Sequence, residues 1–169
     1  VSDVAFGWNN YAHTKEFGEM AQANTIVGDT KNATRHQYIA KIRHLPQQVA
    51  DFTANLTPEQ LTTQFLDGEW SVAQNVHHLA DSHLNSYIRL KLILTEDNPT
   101  IRPYDQDLWA MTPEANSPDL SATLTLLRGL HQRWADLFAG LDESQWQRTG
   151  IHPVSGVITP DILVKDYAE

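Results

Sequence analysis

The stretch Trp70-Ser71-Val72-Ala73-Gln74-Asn75-Val76-His77-His78-Leu79-Ala80-Asp81-Ser82-His83-Leu84-Asn85-Ser86-Tyr87-Ile88-Arg89 reads as one long, capped helix. Ser71 and Gln74 form the S-x-x-Q pattern of a capping box, which places a helix start at Val72. Apolar residues recur at Val72, Val76, Leu79, Ala80, Leu84, Tyr87, Leu90 and Leu94, close to the helical period. No Gly or Pro interrupts the run before Pro99, so the spacing predicts a helix over 72–95.

The opposite face of that helix is unusual. At about 100° per residue, Gln74, Asn75, His78, Asp81, Ser82, Asn85 and Arg89 share one stripe. A solvated face is normally rich in Lys and Glu, and this stripe has neither before Lys91. Short amides, a hydroxyl, an imidazole and a carboxylate suit the lining of a wet pocket as well as a solvated face. His77 and His83 fall off the stripe, so His78 is the imidazole it presents. Neutral imidazole is the commonest protein metal ligand. Asp81, one turn on, is placed to orient His78 or a bound water.

Composition bounds the rest. The 169 residues suffice for one domain with a real core, and 41% hydrophobic content makes it globular. A formal net charge of −9 argues against a nucleic-acid partner, which needs clustered Lys and Arg. No basic amphipathic stretch suggests a membrane surface, and no apolar run is long enough to span a bilayer. The absence of cysteine excludes disulfides, cysteine zinc sites and a thiol nucleophile of the chain's own, and fits a cytoplasmic setting. The first residues lack the basic start and apolar core of a signal peptide. The chain opens on Val1 and closes at Glu169 inside a helical pattern with no stop signal, so a longer protein is expected at both ends.

Residues 1–33 have no clear period. Phe6, Trp8, Tyr11 and Phe17 predict a partly ordered strap whose aromatics pack on a body formed by residues 34–169. Tyr38, Ile42, Leu45, Val49, Phe52 and Leu56 give the seam of a first helix over 34–55, with a kink expected at Pro46. Thr57-Pro58 opens a short helix and Asp67-Gly68 a turn. Residues 96–117, with Pro99, Pro103 and Pro113, form a long connection. Extended, it reaches roughly 70 Å, against roughly 36 Å for a helix over 72–95. It can therefore cross the bundle and leave the second and third helices parallel. The third helix is expected from 117–119 to about 140, with seam residues Leu120, Leu124, Leu127, His131, Trp134, Phe138 and Leu141. His131 reads as a satisfied core histidine. Leu141-Asp142-Glu143-Ser144-Gln145-Trp146 echoes Leu56-Thr57-Pro58-Glu59-Gln60-Leu61, and Thr159-Pro160 caps a fourth helix. Two such halves give an all-α four-helix bundle with one long crossover, the fourth helix facing the second.

Several site types are excluded. There is no Gly-rich phosphate loop and no H-E-x-x-H, no Glu-x-x-His of a di-iron bundle, and no G-x-S-x-G elbow. The phrases that remain carry a resemblance. Gly68-Glu69-Trp70-Ser71-Val72 leading into His77-His78-Leu79-Ala80-Asp81-Ser82-His83 resembles the signature of the DinB/YfiT-like metalloprotein superfamily. Asn85-Ser86-Tyr87-Ile88-Arg89, Ile101-Arg102-Pro103-Tyr104-Asp105 with Trp109, Leu130-His131-Gln132-Arg133-Trp134 and Ile151-His152-Pro153 resemble its YfiT branch. The likeness covers about residues 36–169.

The resemblance implies an up-down-down-up bundle and a homodimer. It also implies a divalent metal, Ni or Zn, held by three histidines. One of these falls on His78. The other two belong to an H-x-x-x-H pair on helix four, which by the spacing begins directly after Glu169. The YfiT branch is described as metal-dependent hydrolases, and bacterial relatives are S-transferases of low-molecular-weight thiols such as bacillithiol. With no cysteine in the chain, such a thiol would arrive as a cosubstrate. In the transfer reading, Asn85, Arg89, Arg102 and Tyr104 hold polar groups of that cosubstrate, and the electrophile is a small molecule. In the hydrolysis reading the metal activates water and Asp81 is the nearest base. A third reading is a non-catalytic binding or stress protein that keeps the fold without the metal.

Overall fold

Ser71 Oγ accepts from the Gln74 backbone N–H at 3.2 Å, and Gln74 Oε1 accepts from the Ser71 N–H at 3.0 Å. This reciprocal cap starts the central helix where the sequence places it. The computed structural model describes residues 9–169, with side chains from Asp29 onward. Its helices are α1 (Asn9–Thr53), α2 (Pro58–Thr62), α3 (Val72–Thr95), α4 (Gln106–Ala110), α5 (Ser121–Ala139), α6 (Glu143–Trp146) and α7 (Pro160–Asp166). A short antiparallel hairpin, β1 (Gly150–His152) and β2 (Gly156–Ile158), precedes α7.

The chain divides into two units, Val1–Gln37 and Tyr38–Glu169. In the first, the backbone is helical from Asn9, so helix replaces the expected strap over 9–33. Gly18, Gly28 and the Asn and Thr residues there lower helix propensity and hide the helix from a periodicity reading. The packing expected of Phe6, Trp8, Tyr11 and Phe17 lies outside the described side chains.

In the second unit, the C-terminal part of α1 joins α3, α5 and α7 in a four-helix bundle of up-down-down-up order with one long crossover. Its main core gathers Ile39 and Ile42 of α1, Leu90 and Ile93 of α3, Trp134 and Phe138 of α5, Trp146 of α6, and Leu163 and Val164 of α7. Phe138 stacks on Trp146 with ring centroids 5.7 Å apart. A second cluster of Leu61, Ala73, Val76 and Leu120 closes the other end. α7 packs on α3, as the repeat predicts. No helix among the described residues is long and apolar enough to cross a membrane.

Two expected details differ. Within the second unit, the buried positions of α1 are Ile39, Ile42, Pro46 and Thr53, and Phe52 is 70% exposed. The spacing of three and four is kept, but the seam sits one residue on from the expected 38, 45 and 52. Pro46 can face inward because it has no N–H to leave unpaired in the core. α5 begins at Ser121 rather than at 117–119, because the Asp119 carboxylate accepts from the Ser121 N–H at 3.0 Å.

The crossover is fixed at both ends. Gln74 Nε2 donates to Ala110 O at 2.9 Å, tying it to α3. Ile101 N donates to Ile151 O and Ile151 N to Pro99 O, each at 2.8 Å, pinning it to β1. Arg148 caps the end of α3 by donating to Ile93 O at 2.6 Å and to Glu96 O. Gly150 is required for this closeness, since a Cβ there would lie 2.9 Å from Ile93 Cγ1 and 3.3 Å from Pro99 O. Gly150→Ala is therefore expected to cost about 1–3 kcal/mol, the range for overpacking. An unchanged urea midpoint would show that the hairpin can shift away freely.

Candidate functional site

Two residues of the polar stripe of α3, His78 and Ser82, open on a cavity. It measures about 630 Å³ and lies between α1, α3 and the last residues after α7, with His78, Ser82 and His83 on its α3 wall. A larger groove of about 760 Å³ runs outside α3 and α5, but its walls include no imidazole or carboxylate. Of these two, only the smaller cavity is lined by imidazoles and carboxylates.

His78 is half-buried, and its ring meets Trp70 edge-on at 4.8 Å. Burial holds its pKa below the usual imidazole range, against a smaller opposing pull from Asp107. It is thus a neutral imidazole at neutral pH. Asp81 is half-buried too, and burial, helped by Glu114 and opposed by His77, raises its carboxyl above the usual range. Asp81 makes no hydrogen bond to His78 among the described residues, and its backbone carbonyl accepts from Asn85 Nδ2 at 2.8 Å. Ser82 lines the cavity and lies beside Tyr104 of the crossover. Tyr104 packs against Trp109 with centroids 4.6 Å apart, and the Arg89 guanidinium lies 5.9 Å from the Tyr104 ring. Burial raises the Tyr104 hydroxyl, partly offset by Ser82.

The stripe is not uniform in use. Gln74 is spent on the cap and on Ala110, and Asn75 donates to Trp70 O at 3.3 Å and Ser71 O at 2.9 Å. Arg89 keeps a buried Nε with no partner among the described residues. It also lies near His152 of β1, whose imidazole is held below the usual range by burial first and by Arg89 second. Arg102 is exposed and bonds to no described residue, so it stands apart from the others.

The off-stripe histidines have definite jobs. His77 joins α3 to the start of α5, with Nδ1 2.7 Å from Thr123 Oγ1 and Nε2 3.0 Å from Ser117 O. His131 is fully buried, with Nδ1 2.6 Å from Ile42 O and Nε2 2.8 Å from His83 Nδ1. His131 is a satisfied core histidine, and it also links the core to the cavity through His83. His83 lies off the polar stripe, so the stripe alone does not reveal it. The core spacing Val76, Ala80, His83, Tyr87, Leu90 could have found it, since a histidine on that seam must meet a polar partner across the bundle.

Among the described residues no three His, Cys, Asp or Glu side chains come together as a metal site. His78 offers one imidazole, whereas a catalytic zinc site takes three protein ligands. The described residues alone therefore do not fit a tightly held metal.

Comparison with known proteins places the chain. A family model described as the DinB superfamily matches residues 41–164. An Oceanobacillus iheyensis protein named "Putative metal-dependent hydrolase OB0782" is 42% identical over 141 residues, covering 83% of this chain and 81% of its own. Bacillus subtilis "Putative metal-dependent hydrolase YfiT" is 43% identical over 136 residues, covering 80% of this chain and 74% of its own. The solved structure of YfiT from Bacillus subtilis, described as "a probable metal-dependent hydrolase with an unusual four-helix bundle topology", matches with a TM-score of 0.76 at 40% identity, over 79% of this chain and 77% of that one. With a capped α3 facing a histidine-lined cavity and a crossover pinned to the hairpin, this chain belongs to the DinB superfamily.

Proposed function

We propose that this chain is an enzyme of the metal-dependent type for which its relatives are named, and that it transfers a low-molecular-weight thiol of the bacillithiol kind to a small electrophile. The observation that carries the reading is the cavity, where a neutral His78 and the Ser82 hydroxyl face open space in a chain without cysteine. Any sulfur nucleophile must then be diffusible. A free thiol is only a few per cent ionised at pH 7, so a site that favours thiolate has much to gain. Nickel or zinc would supply that chemistry when bound, with His78 as one donor. The resemblance calls for two further imidazoles beside it.

The chain's own residues have the task of holding the reactants. Arg89, whose guanidinium lies beside the Tyr104 ring, is the cation assigned to a carboxylate of the cosubstrate. Asn85 and Tyr104 are half-buried and Arg102 is exposed, and the same reading gives them the remaining polar groups of the cosubstrate. Hydrolysis is the second reading, and the raised carboxyl of Asp81 favours it, since such a group is a stronger base than an ordinary carboxylate. A small-molecule substrate, a cytoplasmic setting and a homodimer belong to the same proposal.

The test is a rate assay with a model electrophile, several low-molecular-weight thiols, and added Ni²⁺ or Zn²⁺. Thiol-dependent conjugation that needs metal and is lost in His78→Ala is the expected result. Arg89→Ala should raise KM for the thiol about 10- to 100-fold, the worth of a hydrogen bond to a charged group, with a smaller change in kcat. Metal-loaded protein that turns over the electrophile without thiol, and shows no thiol-dependent rate, would replace transfer by hydrolysis.

A further inference from the structure

A chain of four groups leads from the core to the cavity wall. Pro46 lies inside α1 and has no N–H, so the carbonyl four residues back, Ile42 O, lacks its helical donor. His131 Nδ1 takes that place at 2.6 Å, and a carbonyl only accepts, so Nδ1 of His131 carries the hydrogen. Burial keeps His131 below the usual imidazole range, hence neutral, and its Nε2 is therefore an acceptor. His83 Nδ1, 2.8 Å away, must then donate to it. Burial, with His131 and His78 adding to it, pushes His83 down to about 3, so it too is neutral and its Nε2 is bare.

That nitrogen bonds to none of the described residues. It is also not one of the sealed, unpartnered atoms, which are Ser86 Oγ, Arg89 Nε and Trp134 Nε1. His83 lines the cavity, so the open space that Nε2 reaches is the cavity itself.

We propose that His83 is a ligand-recognition residue of this cavity. Held by His131 as the Nδ1–H tautomer, it offers Nε2 as an acceptor to a hydroxyl or thiol hydrogen of the bound small molecule. The inference rests on the reading of the cavity as the small-molecule site. It is distinct from His78, whose ring leaves α3 on a different face. Neutrality makes His83 a partner that keeps the donor's proton on the donor.

The test is ¹⁵N NMR of the histidine-labelled protein at pH 7, with 2-mercaptoethanol as the probe. The ligand-free spectrum is expected to show His83 and His131 both as Nδ1–H tautomers with unprotonated Nε2. Titration should move His83 Nε2 and leave His131 in place. His131→Gln can still donate to Ile42 O and accept from His83, so it should preserve probe affinity, while His131→Leu should weaken it about three- to tenfold. A His83 that is charged or protonated on Nε2 in the native protein overturns the inference. If the probe moves His78 and not His83, the cavity binds small molecules but His83 takes no part. If it moves neither, the small-molecule reading of the cavity falls as well.

Discussion

His131→Leu is expected to destabilise the protein by about 3–5 kcal/mol. The volume change is small, so the loss comes from polar groups rather than from a void. Ile42 O loses its donor at 2.6 Å and His83 Nδ1 loses its acceptor at 2.8 Å, both inside the bundle. Each orphaned buried group costs about 1–3 kcal/mol, and contacts of His131 with the Trp134 ring at 5.8 Å are altered as well. Such a loss is a large share of a typical domain stability of about 5–15 kcal/mol. Pro46→Ala supplies the internal control. It returns an N–H to position 46, four residues after Ile42, and so restores the helical donor that His131 replaces. In the His131→Leu background Pro46→Ala should recover about 1–2 kcal/mol, and in the wild-type background less, because the carbonyl is already satisfied. A double-mutant cycle by urea unfolding reads the coupling directly. Strict additivity would show that the proline and the histidine do not share the Ile42 carbonyl.

The same group of residues shows which parts of the fold were legible in the chain. Capping is local chemistry, so Ser71, Thr57 and Thr159 mark the starts of α3, α2 and α7. A long apolar period is equally local, and α3 runs over Val72–Thr95 as its spacing says. The phase of α1 was not legible. A seam one residue to either side has the same spacing, and the inward-facing Pro46 marks the one the fold takes. The hairpin escaped because its strands have three residues each and are held by Pro99 and Ile151 pairing across the crossover, a non-local contact. His78 was legible as a cavity imidazole because a polar stripe without Lys or Glu is a one-helix pattern. His83 was not, since its role depends on a partner on α5, 48 residues away. Arg102 shares its phrase of the crossover with the half-buried Tyr104, yet the fold leaves it exposed.

Acidification is expected to unfold the protein earlier than its carboxylates alone would dictate, with His83 as the main cause. In the unfolded chain His83 titrates near 6.5, and in the fold burial, followed by the charges of His131 and His78, pushes it down to about 3. Between these values the unfolded state binds the proton and the native state does not. Stability therefore rises with pH through that window and is lost as pH falls below about 6.5. One pKa unit corresponds to about 1.4 kcal/mol, so at pH 5 His83 alone should have removed about 2 kcal/mol relative to pH 7. His78 and His131 are shifted in the same direction, mainly by burial, and add to the loss. Asp81 has the opposite sign. Its raised carboxyl costs stability when ionised, so protonation there gives a little back at lower pH. Urea midpoints at pH 7 and pH 5 measure the sum, and His83→Leu isolates the largest part. The variant should be less stable at pH 7, because His131 Nε2 loses its donor, yet lose about 2 kcal/mol less than wild type on going to pH 5. If wild type is equally stable at both pH values, or His83→Leu leaves the difference unchanged, His83 does not stay neutral through this window, and the bare acceptor at the cavity wall goes with it.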